Sequence, residues 1–399
     1  DDIMKFTSTF NKFTFADFYP ATVASHFKDL YGDRFAYVDR TIYHYNGVYW
    51  EKDTNDQAIL NNFIKNEYHT MLIQLLHDYD IKNKNTVDDS KAHVKKITGL
   101  RKSIDELRHF KKRDAYLRDI LNSISQKIDF DQAPHLFAFN NKIYDLHLGE
   151  FVDPNPLDYI SLTCGYDFDE NYDKKKVAEL EKFLTTILPN QEMRNFEFSI
   201  LSTGAGGNGK GVLNELALRT MGNYGYNLTK TVLTHPLKTG CNPEVAGLHN
   251  KRFVVATEPD DQLKIVTSTL KEITGGNSIN ARLANSNNTK TELKLTFVME
   301  CNAKPKLDAV NDAIFRRLLE IPFQSKFVEK YVYDELSDDE KKTQFLKNDY
   351  YKTLEFQTSF RQALFHILTK HFKIYREKGL VVPELVRKSN MVYMACSDD

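Results

Sequence analysis

Cysteine is scarce in this chain. Cys164, Cys241, Cys301 and Cys396 are its only four, and no two fall at a spacing that would build a disulfide framework or a zinc site. That usage fits a reducing, intracellular setting. The twelve histidines show no metal-ligand spacing either. No apolar run approaches the ~20 residues that a membrane helix needs, and the first residues lack the basic-then-apolar signature of a signal peptide, so no membrane partner is expected. Net charge is nearly missing too: 54 Lys and Arg stand against 55 Asp and Glu, leaving −1 at pH 7. A partner with a phosphate backbone must therefore be held by a local basic surface, not by bulk charge. Repeats and low-complexity tracts are absent. What remains is a chain of 399 residues, 41% apolar, long enough for two or three packed domains.

Its most informative segment is Gly204-Ala205-Gly206-Gly207-Asn208-Gly209-Lys210-Gly211. The apolar run Phe196–Leu201 precedes it and the amphipathic stretch Val212–Leu218 follows. Strand, glycine loop and helix form the context in which successive backbone N–H groups curl around an anion at a helix N-terminus. Residues 204–212 are thus predicted to cradle a nucleoside triphosphate, ATP with Mg²⁺, with Lys210 reaching the β- and γ-phosphates. Gly211 departs from the pattern, because a Ser or Thr at that position normally gives Mg²⁺ its hydroxyl.

Downstream, Phe253-Val-Val-Ala-Thr257 reads as a buried parallel strand ending at Glu258. Glu258 is the candidate base for the attacking water, and the candidate Mg²⁺ ligand through water. The residue before it, often an acid, is Thr257, so metal ligands are sparse at two positions at once. A third strand, Leu293–Met299, ends at Glu300-Cys301-Asn302, where Asn302 can sense the γ-phosphate or the lytic water. Arg316-Arg317 then precedes the strand-like Leu318–Phe323. In a ring-forming ATPase, one of these arginines would enter the neighbouring subunit's site as an arginine finger; on its own the pair also suits a solvated helix end.

The order of glycine loop, Glu-terminated strand, Asn-terminated strand and Arg-Arg resembles the superfamily 3 helicases, and among them the poxvirus-type primase-helicases of large DNA viruses and related plasmid and phage primases. Asn242–Arg252 is similar to the family's lead-in to its second motif, Ile273–Arg282 to a motif between the second and third, and His135–Gly149 to a segment ahead of the ATPase. The likeness covers roughly residues 20–325. It implies an α/β, AAA+-like ATPase core with a parallel sheet, behind a mainly helical collar that assembles a homo-hexamer. It also implies ATP-driven translocation on single-stranded DNA and unwinding of forked DNA at viral replication sites in host cytoplasm or nucleus. Segments flanking Asn285–Lys290 read as a hairpin, which in such helicases projects into the ring channel. Lys290 at its tip is the leading DNA contact, with Lys294 and Arg282 as weaker ones; a solvated surface turn is the plainer reading.

Elsewhere, Thr41–Trp50 is a hairpin around Asn46-Gly47, whose aromatic residues suit a small packed sheet better than base stacking. From Ala58 to Ile128 the pattern is helical and charged, including His109-Phe-Lys-Lys-Arg113, a run expected on a solvated helix face. Asp167-Phe-Asp169 reads as loop, so a primase centre, if the full protein has one, is expected outside this chain; both ends of the sequence look cut. Phe360, Leu364, Ile367, Leu368 and Phe372 form a helical stripe expected to pack on the core. The expected division is residues 1–177, 178–325 and 326–399, with a boundary near Asp173–Val177. Two other functions remain open: a nucleotide-driven ring that loads or remodels DNA without unwinding it, and a small-molecule kinase.

Overall fold

The computed structural model describes residues 18–55, 57–83, 90–187, 199–204, 206–237, 240–257, 264–275, 278–282, 289–309, 314 and 317–397. They divide into two compact units. The first comprises the chain up to Pro134 together with Asp153–Ser161, and the second comprises His135–Val152 and everything from Leu162 onward.

The first unit is built around helices with one small sheet. Helices Pro20–Tyr31 and Phe110–Ser123 pack together, and His69–Asn83 packs with Ser90–Asp105. Their apolar positions bury Phe27, Leu60, Ile64, Tyr68, Leu72, Ile104 and Ile120 in one core. Strands β1 (Phe35–Val38), β2 (Thr41–Tyr45) and β3 (Trp50–Lys52) form an antiparallel meander. Asn46 closes the β2–β3 turn, its side-chain oxygen accepting from Val48 N and Tyr49 N at 3.0 Å each. Trp50 is 2% exposed and its Nε1 donates to the Pro156 carbonyl at 2.8 Å, so it is core and not a base-stacking platform. Arg113 departs from the solvated face expected for 109–113. It is buried, donating Nη1 to Leu107 O at 3.0 Å and Nε to Asn61 Oδ1 at 2.9 Å, because the end of the preceding helical segment needs a donor for its carbonyl groups.

The second unit begins with the three-stranded meander β4 (Leu136–Ala138), β5 (Ile143–Asp145) and β6 (Glu150–Val152). This meander precedes the expected boundary near 173–177, yet it belongs to the second unit for a packing reason. Phe137 and Phe139 are buried with Tyr166, Phe168, Tyr224 and Phe365, and Arg252 lies over the Tyr224 ring at 4.2 Å while donating to Leu136 O. Burial among these rings pushes the Cys164 thiol up to about 12, which leaves it an inert core residue.

At the centre stand five parallel strands: β7 (Ser199–Thr203), β8 (Gly225–Leu228), β10 (Phe253–Thr257), β13 (Thr296–Cys301) and β14 (Leu318–Pro322), in the order β14-β7-β13-β10-β8. β9 (Gly240–Cys241), β11 (Ser278–Arg282) and β12 (Thr289–Glu292) form a second small sheet, and β15 (Lys326–Val328) pairs with β16 (Gln344–Leu346). The central sheet is covered on both faces, as parallel sheets require. Leu319 and Ile321 pack with the helices Lys175–Ile187 and Arg361–Lys378, whereas Val254, Ala256, Phe297 and Met299 pack with Leu270 and Ile273. In the C-terminal stripe Phe360, Leu364 and Ile367 are buried in that core, but Leu368 is 38% exposed, so the apolar face is narrower than expected.

Glu320 lies inside the sheet, 1% exposed. It accepts from Thr203 Oγ1 and Ser389 Oγ at 2.8 Å each and pairs with Lys304 at 2.9 Å. Asn390 completes the clasp, accepting from Glu320 N and donating to Leu318 O. Glu320→Ala would leave a lysine and two hydroxyls without their acceptor. It should lower unfolding stability by about 3–5 kcal/mol, read as a fall in chemical-denaturation midpoint, against a much smaller loss for the exposed pair partner Asp339→Ala.

Candidate functional site

β7 ends at Thr203, the glycine loop follows, and the helix Lys210–Met221 starts on the loop's lysine. Gly204, Gly207 and Gly209 have φ of 144°, 79° and 86°, a backbone region that disfavours residues with a Cβ. At Gly204 close approach adds a second constraint, since a Cβ there would lie 2.5 Å from the Phe323 carbonyl oxygen. The loop is tied down from three sides. Phe323 N donates to Thr203 O at 2.8 Å, Phe327 N to Gly207 O at 2.7 Å, and the buried Asn208 donates to Phe323 O while accepting from Lys210 N. Val212 sits in the first turn of the helix, and its carbonyl accepts from the buried Gln357.

Lys210 is 5% exposed, and its ammonium donates to Gly204 O and to Asn302 Oδ1, both at 2.9 Å. Two residues 92 positions apart in sequence therefore meet at one charged group. Asn302 follows directly on β13, which lies between β7 and β10, so the strand order delivers it to the loop. Glu300, two residues earlier, turns a carboxylate to the same place, its Oε2 accepting from Asn214 Nδ2 at 3.2 Å. A cleft of about 390 Å³ opens here, lined by Gly206–Val212, Glu215, Glu300, Asn302, Lys352 and Gln357. Glycine N–H groups at a helix start, a buried ammonium and a carboxylate together suit an anion with a divalent cation.

Glu258, Ala205 and Arg316 lie outside the described residues. Thr257 ends β10 level with Glu300 on β13, at the edge of the sheet that carries the loop. Arg317 is exposed and precedes β14, at the opposite edge from the loop. The hairpin is present, with Ser278, Asn280 and Ala281 opposite Glu292, Lys290 and Thr289. Lys290 is a correction: it stands within β12, opposite Asn280, and not at a tip, because the β-branched Thr289 and Thr291 extend the strand toward the turn. Arg282 ends β11 beside Cys241 of β9, and Lys294 is exposed in the link between β12 and β13. That link also shortens the third strand, which starts at Thr296 and not at Leu293.

Several residues escaped sequence reasoning. Glu320 sat in an apolar run with nothing to mark it as a clasp, and Lys352 and Gln357 reach the cleft from 140 residues downstream of the loop, which no local pattern signals. Asp167 and Asp169 are exposed in a loop, as read. His135 and His147, however, stack at 4.6 Å beside Asp145, brought together by the β4–β5 turn although their spacing suggested nothing.

A covered parallel sheet with a buried lysine at a glycine loop defines the chain's class as an α/β protein with an anion-ready cleft. Residues 24–189 match the family model described as D5 N terminal like. The chain is similar to "Putative helicase L207/L206" of Acanthamoeba polyphaga mimivirus, 29% identical over 286 residues that cover 66% of this chain and 30% of that one. It is also similar to "Putative helicase 121R" of Invertebrate iridescent virus 3, 26% identical over 428 aligned residues, with 93% and 45% covered. The chain thus spans less than half the length of either relative. Among solved structures, the NrS-1 C terminal region aligns with a TM-score of 0.42 at 16% identity, over 69% of this chain and 61% of that one. The resemblance read from the motifs holds: residues 24–189 match the D5 N terminal like model, and the chain is similar to helicase-named proteins of large DNA viruses. No described helix is long and apolar enough to cross a membrane.

The loop geometry makes a test. Gly204→Ala must strain a φ of 144° and push on the Phe323 carbonyl, whereas a Cβ at Gly206 meets nothing within 4 Å. Gly204→Ala should abolish triphosphate binding in a fluorescent-nucleotide titration and Gly206→Ala should preserve it within about threefold, a loss near the 1 kcal/mol scale of an ordinary substitution. Equal effects would mean that the loop's conformation does not matter.

Proposed function

We propose that this chain is the ATPase portion of a ring-forming, AAA+-like replicative DNA helicase, acting on single-stranded and forked DNA of a large DNA virus. The observation that carries the reading is the Lys210 ammonium, buried at the start of a helix and held by one backbone carbonyl and by Asn302. Burying an ammonium is costly, and a neutral amide with a carbonyl repays only part of that cost. The polyphosphate of ATP would repay it in full, and Asn302, released from Lys210, would turn to the γ-phosphate or the lytic water. ATP with Mg²⁺ supplies the energy of phosphoanhydride hydrolysis when bound. Around it, Lys210 holds phosphate charge, the loop amides orient the chain of phosphates, and Glu258 takes the proton of the attacking water.

Arg317 cannot serve the cleft of its own chain. β14 separates it from the loop edge by four steps of about 3.3 Å, roughly 13 Å of strand, before any side chain is counted. An arginine finger at Arg317 would therefore act across a subunit boundary, which favours a homo-oligomer such as a hexamer. Translocation would follow if the β11–β12 hairpin, with Lys290, Lys294 and Arg282, gripped DNA phosphates in a central channel. A primase domain in a longer polypeptide is consistent with the length of the relatives.

Lys210→Ala should lose nucleotide binding by at least about tenfold and with it all ATP hydrolysis. Single-stranded DNA should raise hydrolysis by the wild-type chain, and specific activity should climb with protein concentration. Adding Arg317→Ala or Arg316→Ala subunits to wild-type should depress activity more than in proportion to their fraction. Activity that ignores both DNA and concentration would sink the helicase reading, and DNA-stimulated hydrolysis without strand separation would assign the ring to loading or remodelling.

A further inference from the structure

Two positions that commonly hold the metal of such a site lack a ligand in this sequence. Gly211 stands where a hydroxyl would follow Lys210, and Thr257 stands where an acid would precede Glu258. The fold brings one carboxylate to both places. Glu300 is the Cα partner of Thr257 across the β10–β13 ladder, one inter-strand spacing of about 4.8 Å away. Its Oε1 lies 3.1 Å from the point that a Cβ on residue 211 would occupy. Its Oε2 is held by Asn214, one turn along the helix from Lys210, so one oxygen fixes the carboxylate and the other faces the first turn. Glycine at 211 is what makes the room, for any side chain there would crowd Oε1.

We propose that Glu300 supplies the protein oxygen that holds the nucleotide's Mg²⁺ in this chain, with Asn214 as its positioning residue. The missing hydroxyl and the missing acid are thereby replaced by one carboxylate from the strand between their two elements. The inference rests on the nucleotide reading of the cleft. A carboxylate is a hard, anionic ligand suited to Mg²⁺ or Mn²⁺, and it differs from a hydroxyl in one respect that can be measured. Without metal, its charge faces the phosphates and opposes them; with metal, it attracts the cation between.

The experiment titrates ATPγS onto the full 399-residue chain in EDTA, in Mg²⁺ and in Mn²⁺, and follows Mn²⁺ binding in the nucleotide complex by electron paramagnetic resonance. For wild type, metal should tighten nucleotide binding by about tenfold or more. Glu300→Gln keeps the shape and an acceptor for Asn214. Its binding in EDTA should equal or exceed wild type, its gain from metal should shrink to within about twofold, and its bound Mn²⁺ should be lost at concentrations that saturate wild type. Gly211→Ser combined with Glu300→Ala should regain much of the metal effect, because the hydroxyl then has both the position and the space. Glu300→Gln with an undiminished metal gain would overturn the proposal, and so would a loss of binding in EDTA, which would give Glu300 a structural role. A double variant that regains nothing would also count against it. A wild-type chain that binds no nucleotide under any condition would instead defeat the nucleotide reading itself.

Discussion

The carboxylate of Glu320 is the constraint on which the cleft depends. An ionised group that is 1% exposed must have its charge and lone pairs met from within, and here each partner belongs to a different piece of the site. Thr203 is the last residue of β7 before the glycine loop. Lys304 follows Asn302 by two positions. Ser389 and its neighbour Asn390 come from the C-terminal helix Glu384–Ser397. The loop, the segment after β13 and the C-terminal helix are thus registered on one point of β14. Tyr393 reinforces the same junction: its hydroxyl donates to Pro305 O at 2.5 Å, and its burial raises its pKa well above the usual tyrosine range, so it stays a neutral donor. The C-terminal segment is part of the platform, not an appendage to it.

Much of the second unit was legible because parallel strands advertise themselves. The run Phe253–Thr257 is apolar at every position but its last and became β10 with the expected bounds, and Leu318–Pro322 became β14. Lys210 and Asn302 were assigned from sequence order alone, and the fold joins them at 2.9 Å. What could not be read was anything set by contact between remote elements. Residues 135–152 group with the second unit because Phe137 and Phe139 find their burial against Phe365, more than 220 residues away, a partner no local composition shift reveals. Arg113 looked like one more surface charge in a basic run until helix packing gave it carbonyl and amide acceptors. Lys290 shows the usual uncertainty of element ends: one threonine on each side was enough to move it from turn to ladder.

The glycine loop shows how a site can be rigid and yet ready for a ligand. Positive φ at three glycines is tolerated because Phe323 and Phe327, just after β14, supply backbone donors that hold the loop from outside. The same strand therefore carries Glu320 inward and, at its end, braces the loop. Among the described residues, the Lys210 ammonium has a backbone carbonyl and an amide oxygen as its acceptors, a weaker arrangement for an ammonium than a carboxylate pair. A salt bridge at that place would compete with an incoming phosphate, whereas Asn302 can let go of Lys210 at the cost of one hydrogen bond to an uncharged amide, weaker than an ion pair with a carboxylate.

On the proposed reading, the sheet also explains why one chain is not a complete machine. A parallel sheet places all its strand ends on one edge and all its beginnings on the other. Thr203, Thr257, Cys301 and Pro322 end at the loop edge, so whatever follows them can meet one nucleotide. Residues that precede a strand, as Arg317 precedes β14, are confined to the far edge. A cation needed at the phosphates but placed there can reach them only in a neighbouring copy. Hydrolysis in one subunit is then tied to the position of the next, and that coupling, more than any single contact, is what would let nucleotide turnover become directed motion along a strand of DNA.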